Sequence, residues 1–198
     1  MKNDNITRTG TLELRALENN EESRTVFGYA VVFDTPSQDM GFIEIIKRGA
    51  ITQDTINNCD IFAKFNHDDS KVLARSNHGV GSLHLSVDDK GLRYEFDCPK
   101  TDLGDELLEY IKRGDISQSS FAFALSPDDK NAQKWEKRDG KLYRTINHIG
   151  FLFDVSPVFQ PAYMATSVDK RDLEEAKKKF ELEEKYDKMI NDLDEFLI

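Results

Sequence analysis

The stretch SLHLSVDDKGLRYEFDC, residues 82–98, constrains the fold most strongly. Leu83, Leu85 and Val87 alternate with polar residues into a turn at Asp88 to Gly91, and Leu92, Tyr94 and Phe96 alternate out of it. A period of two puts each set on one face of a strand, and the Asp- and Gly-bearing turn folds the strands into a hairpin. Similar short extended patterns recur in TLELRAL (residues 11–17) and TVFGYAVVFD (25–34), while FIEIIKRGAI (42–51) reads as a short strand or helix closed by Gly49. IFAKFNH (61–67) and SQSSFAFALS (117–126) also alternate, and LYRTINHIGFLFDVSPVF (142–159) is an extended run ended by Pro157 and Pro161. Between the last two, SPDDKNAQKWEKRDGK reads as a loop.

The period changes in TDLGDELLEYIKRG, where Leu103, Leu107, Tyr110 and Ile111 fall at helical spacing. Thr101 or Asp102 can cap that helix, and Gly114 suits the left-handed position after its last turn. From about Asp169 the composition shifts to 11 acidic and 7 basic residues in the last 30. Leu173, Ala176, Phe180, Met189, Ile190, Leu193 and Phe196 form an imperfect apolar stripe, and Glu174/Lys178, Glu175/Lys179, Glu181/Lys185 and Glu184/Lys188 are i,i+4 pairs. The expectation is an α+β chain: a mainly antiparallel, closed or partly closed β-barrel with flanking helices over residues 1–168, and a charged helical tail over 169–198.

At 198 residues and 22.7 kDa, one domain with one sizeable core is expected. A net charge of -10 and a pI near 4.9 oppose the basic footprint that phosphate binding requires, so nucleic acid is not an expected partner. Cys59 and Cys98 have no C-x-x-C spacing and read as small core residues. Neither an apolar leader nor a run of about 20 apolar residues is present, which predicts a soluble cytoplasmic chain without a membrane partner.

The four histidines, His67, His78, His84 and His148, show no metal-ligand spacing, so no metal and no cofactor is expected. His84 should face away from Leu83 and Leu85, and His78 lies in a turn before Gly79. His67 shares parity with Ile61, Ala63 and Phe65 and so continues a buried strand face. There it reads either as a core-edge histidine whose tautomer a neighbour fixes, or as a general base. Ser120 shares its face with Ala122 and Ala124, opposite Phe121, Phe123 and Leu125, which leaves room for a substrate or simply packs a barrel. A serine and a histidine from distant strands can form a nucleophile and base, because such sites are set by geometry and not by chain order. Asp154 and His148 are both candidates for a third member. On an unbroken strand they lie roughly 20 Å apart and cannot both reach His67. Asp68 and Asp69 follow His67 too closely in sequence to be the obvious orienting group.

Six segments, GYAVVFDT, EIIKRGAI, FNHDDSKVLARS, GSLHLSVDDKGLRYEFDCP, DELLEYIKRGDISQSSFAF and RTINHIGFLFDVSPVFQPAYMAT, lie between residues 28 and 166, within a likeness that covers about residues 10–171. In that order and spacing they resemble the prohead (capsid maturation) protease family of tailed bacteriophages. The resemblance implies a serine protease fold related to herpesvirus assemblin, a mostly antiparallel β-barrel surrounded by helices. It implies His67 as general base and Ser120 as nucleophile; the third member is Asp154, from the acidic residue before VS, or His148, from the second histidine of assemblins. Arg75, in VLARS, is a candidate for oxyanion support, as is a backbone amide near Ser120. Ala122 departs from the glycine more often found there in relatives.

The function implied is a serine endopeptidase inside the immature capsid in the host cytoplasm. It would cleave the scaffold protein or an extension of the major capsid protein, and itself, with self-association expected. The alternative is a non-catalytic assembly protein that binds scaffold through its tail. A small-molecule hydrolase fits less well, since no G-x-S-x-G elbow accompanies the serine.

Overall fold

A computed structural model describes residues 6–10, 15–16, 23–159 and 167–196. The chain runs β1 (Ile6–Gly10), β2 (Arg15–Ala16), β3 (Thr25–Val32), β4 (Ile43–Ile46), α1 (Gln53–Asn57), β5 (Asp60–Lys64), β6 (Val72–Asn77), β7 (Val80–Gly81), β8 (Leu83–Val87) and β9 (Gly91–Asp97). It continues through α2 (Asp102–Arg113), β10 (Gln118–Ala124), β11 (Gln133–Arg138), β12 (Lys141–Ile146), β13 (Phe151–Val158) and α3 (Ser167–Phe196). Of the expected strand in TLELRAL, Arg15 and Ala16 are β2 and residues 11–14 and 17 lie outside the described residues, as does Pro161.

The expected mixture of α and β, mostly strands, is what forms. No closed barrel is found: the strands lie in three sheets, of order β1-β10-β13-β5-β6-β7, β11-β12-β4 and β2-β3-β9-β8, and none closes on itself among the described residues. The pairings among the described residues are mainly antiparallel, as expected, with two parallel ones, β13 with β5 and β12 with β4. Packing one sheet on another replaces closure as the way to bury faces. Ile61, Ala63, Phe121, Phe123 and Val155 from the largest sheet join Val26, Ala30, Tyr94 and Phe96 from the four-stranded one in a single buried cluster. At about 1.5–3 kcal/mol per large buried side chain, this cluster supplies most of the drive to fold.

The hairpin at residues 83–97 forms in the expected register, with Asp88 Oδ1 accepting from the Lys90 and Gly91 amides in its turn. His84 is exposed between buried Leu83 and half-buried Leu85. Helix α2 starts at the Thr101 cap, whose hydroxyl accepts from Gly104 N–H, and stops at Gly114 with φ 78°.

Two local readings need correction. KWEKR is not loop but strand β11, paired with β12. The Asp139-Gly140 dipeptide has φ 48° and 76°, the left-handed pair that a tight hairpin turn demands, and this was the signal for a hairpin. The run at 142–159 is two strands, because residues 147–150 leave the sheet; β13 then continues through Pro157 to Val158.

Helix α3 begins at Ser167, near the expected start. Its first turns pack onto the body: Leu173 and Ala176 are buried, and Asp172 accepts hydrogen bonds from Arg144 and Gln133. Arg144 is 0 % exposed, donates to Glu44 and Gln133 as well, and stacks over Trp135. Removing one partner of a buried ion pair strands the other, a loss of about 3–5 kcal/mol. Arg144→Met should therefore lower unfolding stability by about that amount, measured by urea denaturation.

Candidate active site

The site lies on one face of the largest sheet, where register fixes which side chains meet. Ser120 pairs with Ser156 and Ala122 with Asp154 across β10 and β13, so these four share a face, opposite core-facing Phe121. Asp154 pairs in turn with Phe62 of β5, and Phe62 with Arg75 of β6. On β5, Phe62 and Lys64 take this face while Ile61 and Ala63 are buried on the other. Register irregularities flank the site, between Ala122 and Phe123 opposite β13 and between Ala63 and Lys64 opposite β6. Such bulges re-aim side chains at strand ends.

His67 is not on a strand face, contrary to its parity with Ile61. Strand β5 ends at Lys64, and Asn66 and His67, with φ 55° and 60°, turn the chain back. Three hydrogen bonds fix the turn: Asn66 N–H to Pro157 O at 2.9 Å, Asp68 N–H to Phe65 O at 3.1 Å and Lys71 N–H to Asp68 O at 2.9 Å. Phe65 anchors it from beneath, in a ring cluster with Tyr110 and Phe159. Asp68 holds the tip by accepting from the amide and hydroxyl of Ser70. The turn carries the imidazole across to the site face.

There His67 Nδ1 lies 2.7 Å from Asp154 Oδ1 and Nε2 lies 2.6 Å from Ser120 Oγ. The carboxylate accepts from Nδ1–H, which leaves Nε2 to accept the serine proton. Asp154 Oδ1 also accepts from Ser156 Oγ at 2.9 Å, and Lys64 Nζ lies 3.5 Å from Oδ2. Burial works to raise the Asp154 pKa, but the His67 hydrogen bond and charge, then Ser156 and Lys64, outweigh it and hold the carboxyl below its ordinary range. A hydroxyl, an imidazole and a carboxylate in this line have the geometry that a nucleophile, its base and an orienting group require.

The structure brings His67, Ser120 and Asp154 together and places the other candidates elsewhere. His148 pairs with Asp129 at 2.8 Å on the surface, in the segment between β12 and β13. Arg75 makes a two-pronged contact with Asp60, at 2.7 and 2.6 Å, and stacks on Phe62. Ser120 is 0 % exposed, so of the two readings of its small-residue face the packed one is what the structure has. Cys59 and Cys98 are both buried, as expected of core residues, and burial pushes the Cys98 thiol up to about 12. Sequence reasoning missed Ser156 and Lys64, although each sits two residues from a residue of the site face, the spacing that marks a shared strand face. No group of three or more His, Cys, Asp or Glu side chains among the described residues can hold a metal ion. No described helix is long and apolar enough to cross a membrane.

This arrangement is that of a serine hydrolase built on a mixed sheet. The sequence matches the caudovirus prohead serine protease family over residues 10–179, and the chain belongs to that family. In fold it is similar to the capsid assembly protease gp21 of bacteriophage T4, with a TM-score of 0.50 and 14 % identity, over 80 % of this chain and 98 % of that one. No curated protein matches its sequence.

Two outcomes follow from the site's construction. Asn66→Val forces a β-branched residue into the left-handed region, at a cost of about 1–2 kcal/mol, whereas Asn66→Gly should be tolerated, as thermal melts would show. Because the Asp154 pKa is depressed on folding, the stability it confers is present above the unfolded carboxyl pKa, about 3.9, and is lost as pH falls through the folded value. Urea denaturation of the parent and Asp154→Asn should therefore differ most near neutrality and converge in acid.

Proposed function

We propose that this protein is a serine endopeptidase of capsid maturation in which Ser120 is the nucleophile, His67 the general base and Asp154 the orienting carboxylate. The observation that carries this reading is the continuous hydrogen-bonded line from Ser120 Oγ through both nitrogens of His67 to Asp154. In acylation, Ser120 Oγ attacks the peptide carbonyl as its proton passes to His67 Nε2; the imidazolium then protonates the leaving amine. Water, deprotonated by the same nitrogen, attacks the acyl-enzyme and releases the second product. Asp154 stays ionised throughout and stabilises the imidazolium. With the hydroxyl buried, a substrate carbonyl reaches it only after this face opens.

The substrates fitting this reading are the scaffold protein or an extension of the major capsid protein, and this chain itself. Its place of action is the interior of the prohead in the host cytoplasm. Residues 1–168 carry the protease and 169–198 the helical tail. Exposed Leu182, Tyr186, Met189 and Ile190 on α3 offer a surface for a capsid, scaffold or self-association contact. That surface also favours the second reading, a non-catalytic assembly protein working through the tail.

Co-expression with the phage's own scaffold and major capsid proteins separates the two. Ser120→Ala should abolish processing, and Asp154→Asn should lower its rate by about 10⁴-fold, followed by gel and intact mass. Processing by Ser120→Ala at the parental rate would exclude Ser120, and a requirement for the tail alone would leave the assembly reading.

A further inference from the structure

Lys64 is the one cation drawn into the His67, Ser120 and Asp154 cluster by direct contact among the described residues. Its side chain is 14 % exposed, and its ammonium bridges Asp69 Oδ1 at 2.6 Å and Asp154 Oδ2 at 3.5 Å. These two carboxylates belong to separate parts of the site. Asp69 lies in the turn that presents His67, and Asp154 lies on the central strand β13. Lys64 is itself the last residue of β5, where the strand gives way to that turn. Burial works against its charge, but the Asp69 hydrogen bond and the Asp154 charge more than offset this and keep the ammonium protonated.

We propose that Lys64 is a positioning residue that clips the His67 turn to Asp154 and sets the basicity of His67. This inference rests on the protease reading of the site. Asp154 has two oxygens with different duties: Oδ1 receives His67 Nδ1–H and the Ser156 hydroxyl, while Oδ2 faces Lys64. An ammonium on the far oxygen offsets part of the negative charge that an imidazolium on the near oxygen feels. Asp69 tempers that ammonium. The remaining charges around the site are engaged elsewhere: Asp68 with Ser70, Arg75 with Asp60, and Lys71 over the Phe65 ring. Asp68 keeps its charge beside His67, and the charges that act on His67 through Asp154 are Lys64 and, through Lys64, Asp69.

The test exploits the opposite signs of Lys64 and Asp69. In the full chain, the His67 imidazole is titrated by nitrogen-15 NMR, and Ser120 is labelled with a fluorophosphonate at a series of pH values. Lys64→Met should raise the acidic midpoint of both profiles by roughly half a pH unit or more. Lys64→Arg, which keeps a cation, should restore the parental midpoint. Asp69→Asn, which leaves Lys64 untempered, should move it down. A residue that merely holds the turn in place would slow labelling in both variants without moving the midpoints in opposite directions.

Midpoints that stay put in folded Lys64→Met, or that move the same way in Lys64→Met and Asp69→Asn, overturn the proposal. Should Lys64→Met fail to fold, Lys64→Arg against Asp69→Asn decides: a parental midpoint in the first and a lower one in the second support it, and any other pattern overturns it. The NMR arm is also run on Ser120→Ala, where no chemistry is needed. If fluorophosphonate labels Ser120→Ala as fast as the parent, the nucleophile assignment fails, while the His67 titration still judges Lys64.

Discussion

The interaction on which the site depends is the hydrogen bond between His67 Nδ1 and Asp154 Oδ1. A carboxylate 4 % exposed on a central strand is a costly thing to bury, and it stays ionised only if donors surround it. Here His67, Ser156 and Lys64 supply them from three directions, so each partner is also a structural requirement. The same bond fixes the imidazole's tautomer and points its other nitrogen at Ser120. Local stability and chemical readiness are thus one feature, and loss of the carboxylate should disturb both.

The parallel pairing of β13 with β5 is what makes this possible. An antiparallel hairpin brings together residues close in sequence, whereas Asp154 and the His67 turn are 87 positions apart. Pairing Asp154 with Phe62 in parallel register sends β5 onward in the same direction as β13, so the turn after Lys64 emerges beside Asp154 and Ser156. Asn66 N–H then closes on Pro157 O and ties the turn to the strand it serves. Pro157 cannot donate, but its carbonyl is free to accept at the place where the extended run was expected to stop.

Much of this was legible in the sequence because it is local. The hairpin at 83–97 and helix α2 are fixed by alternation, a turn and caps within a dozen or so residues. The pairing of Ser120 with His67 was legible as chemistry and, through ordered motifs, as family. What alternation could not supply was the end of a strand. Continuing the period of two past Lys64 put His67 on the core face, when two left-handed residues, Asn66 and His67, had already turned it to the other. Sheet closure was illegible for a similar reason: period two says which residues share a face but not which strand lies beside which. His148 and Asp154 shared parity, and only the break at 147–150 sent the first to Asp129 and kept the second in the sheet.

Helix α3 shows the same limit in a different form. One imperfect stripe was expected from Leu173 to Phe196, and its described members Leu173 and Ala176 part from Met189 and Ile190. Leu173 and Ala176 are buried against the body, while Leu182, Tyr186, Met189 and Ile190 are exposed. At 100° per residue, Leu173 and Ala176 fall roughly opposite Leu182, Tyr186 and Met189, so no single neighbour covers both sets. The docked end is held by Asp172 on buried Arg144, a cation that Glu44 also pairs. Farther along, Glu184 still reaches Lys137, so the body lies beside the helix on one side while the exposed residues face another. An isolated helix gains little from its own backbone and charge pairs, and exposed apolar residues at helical spacing add nothing until something covers them. The contact surface proposed for the tail therefore belongs to the exposed Leu182, Tyr186, Met189 and Ile190, apart from the side on which Glu184 meets Lys137.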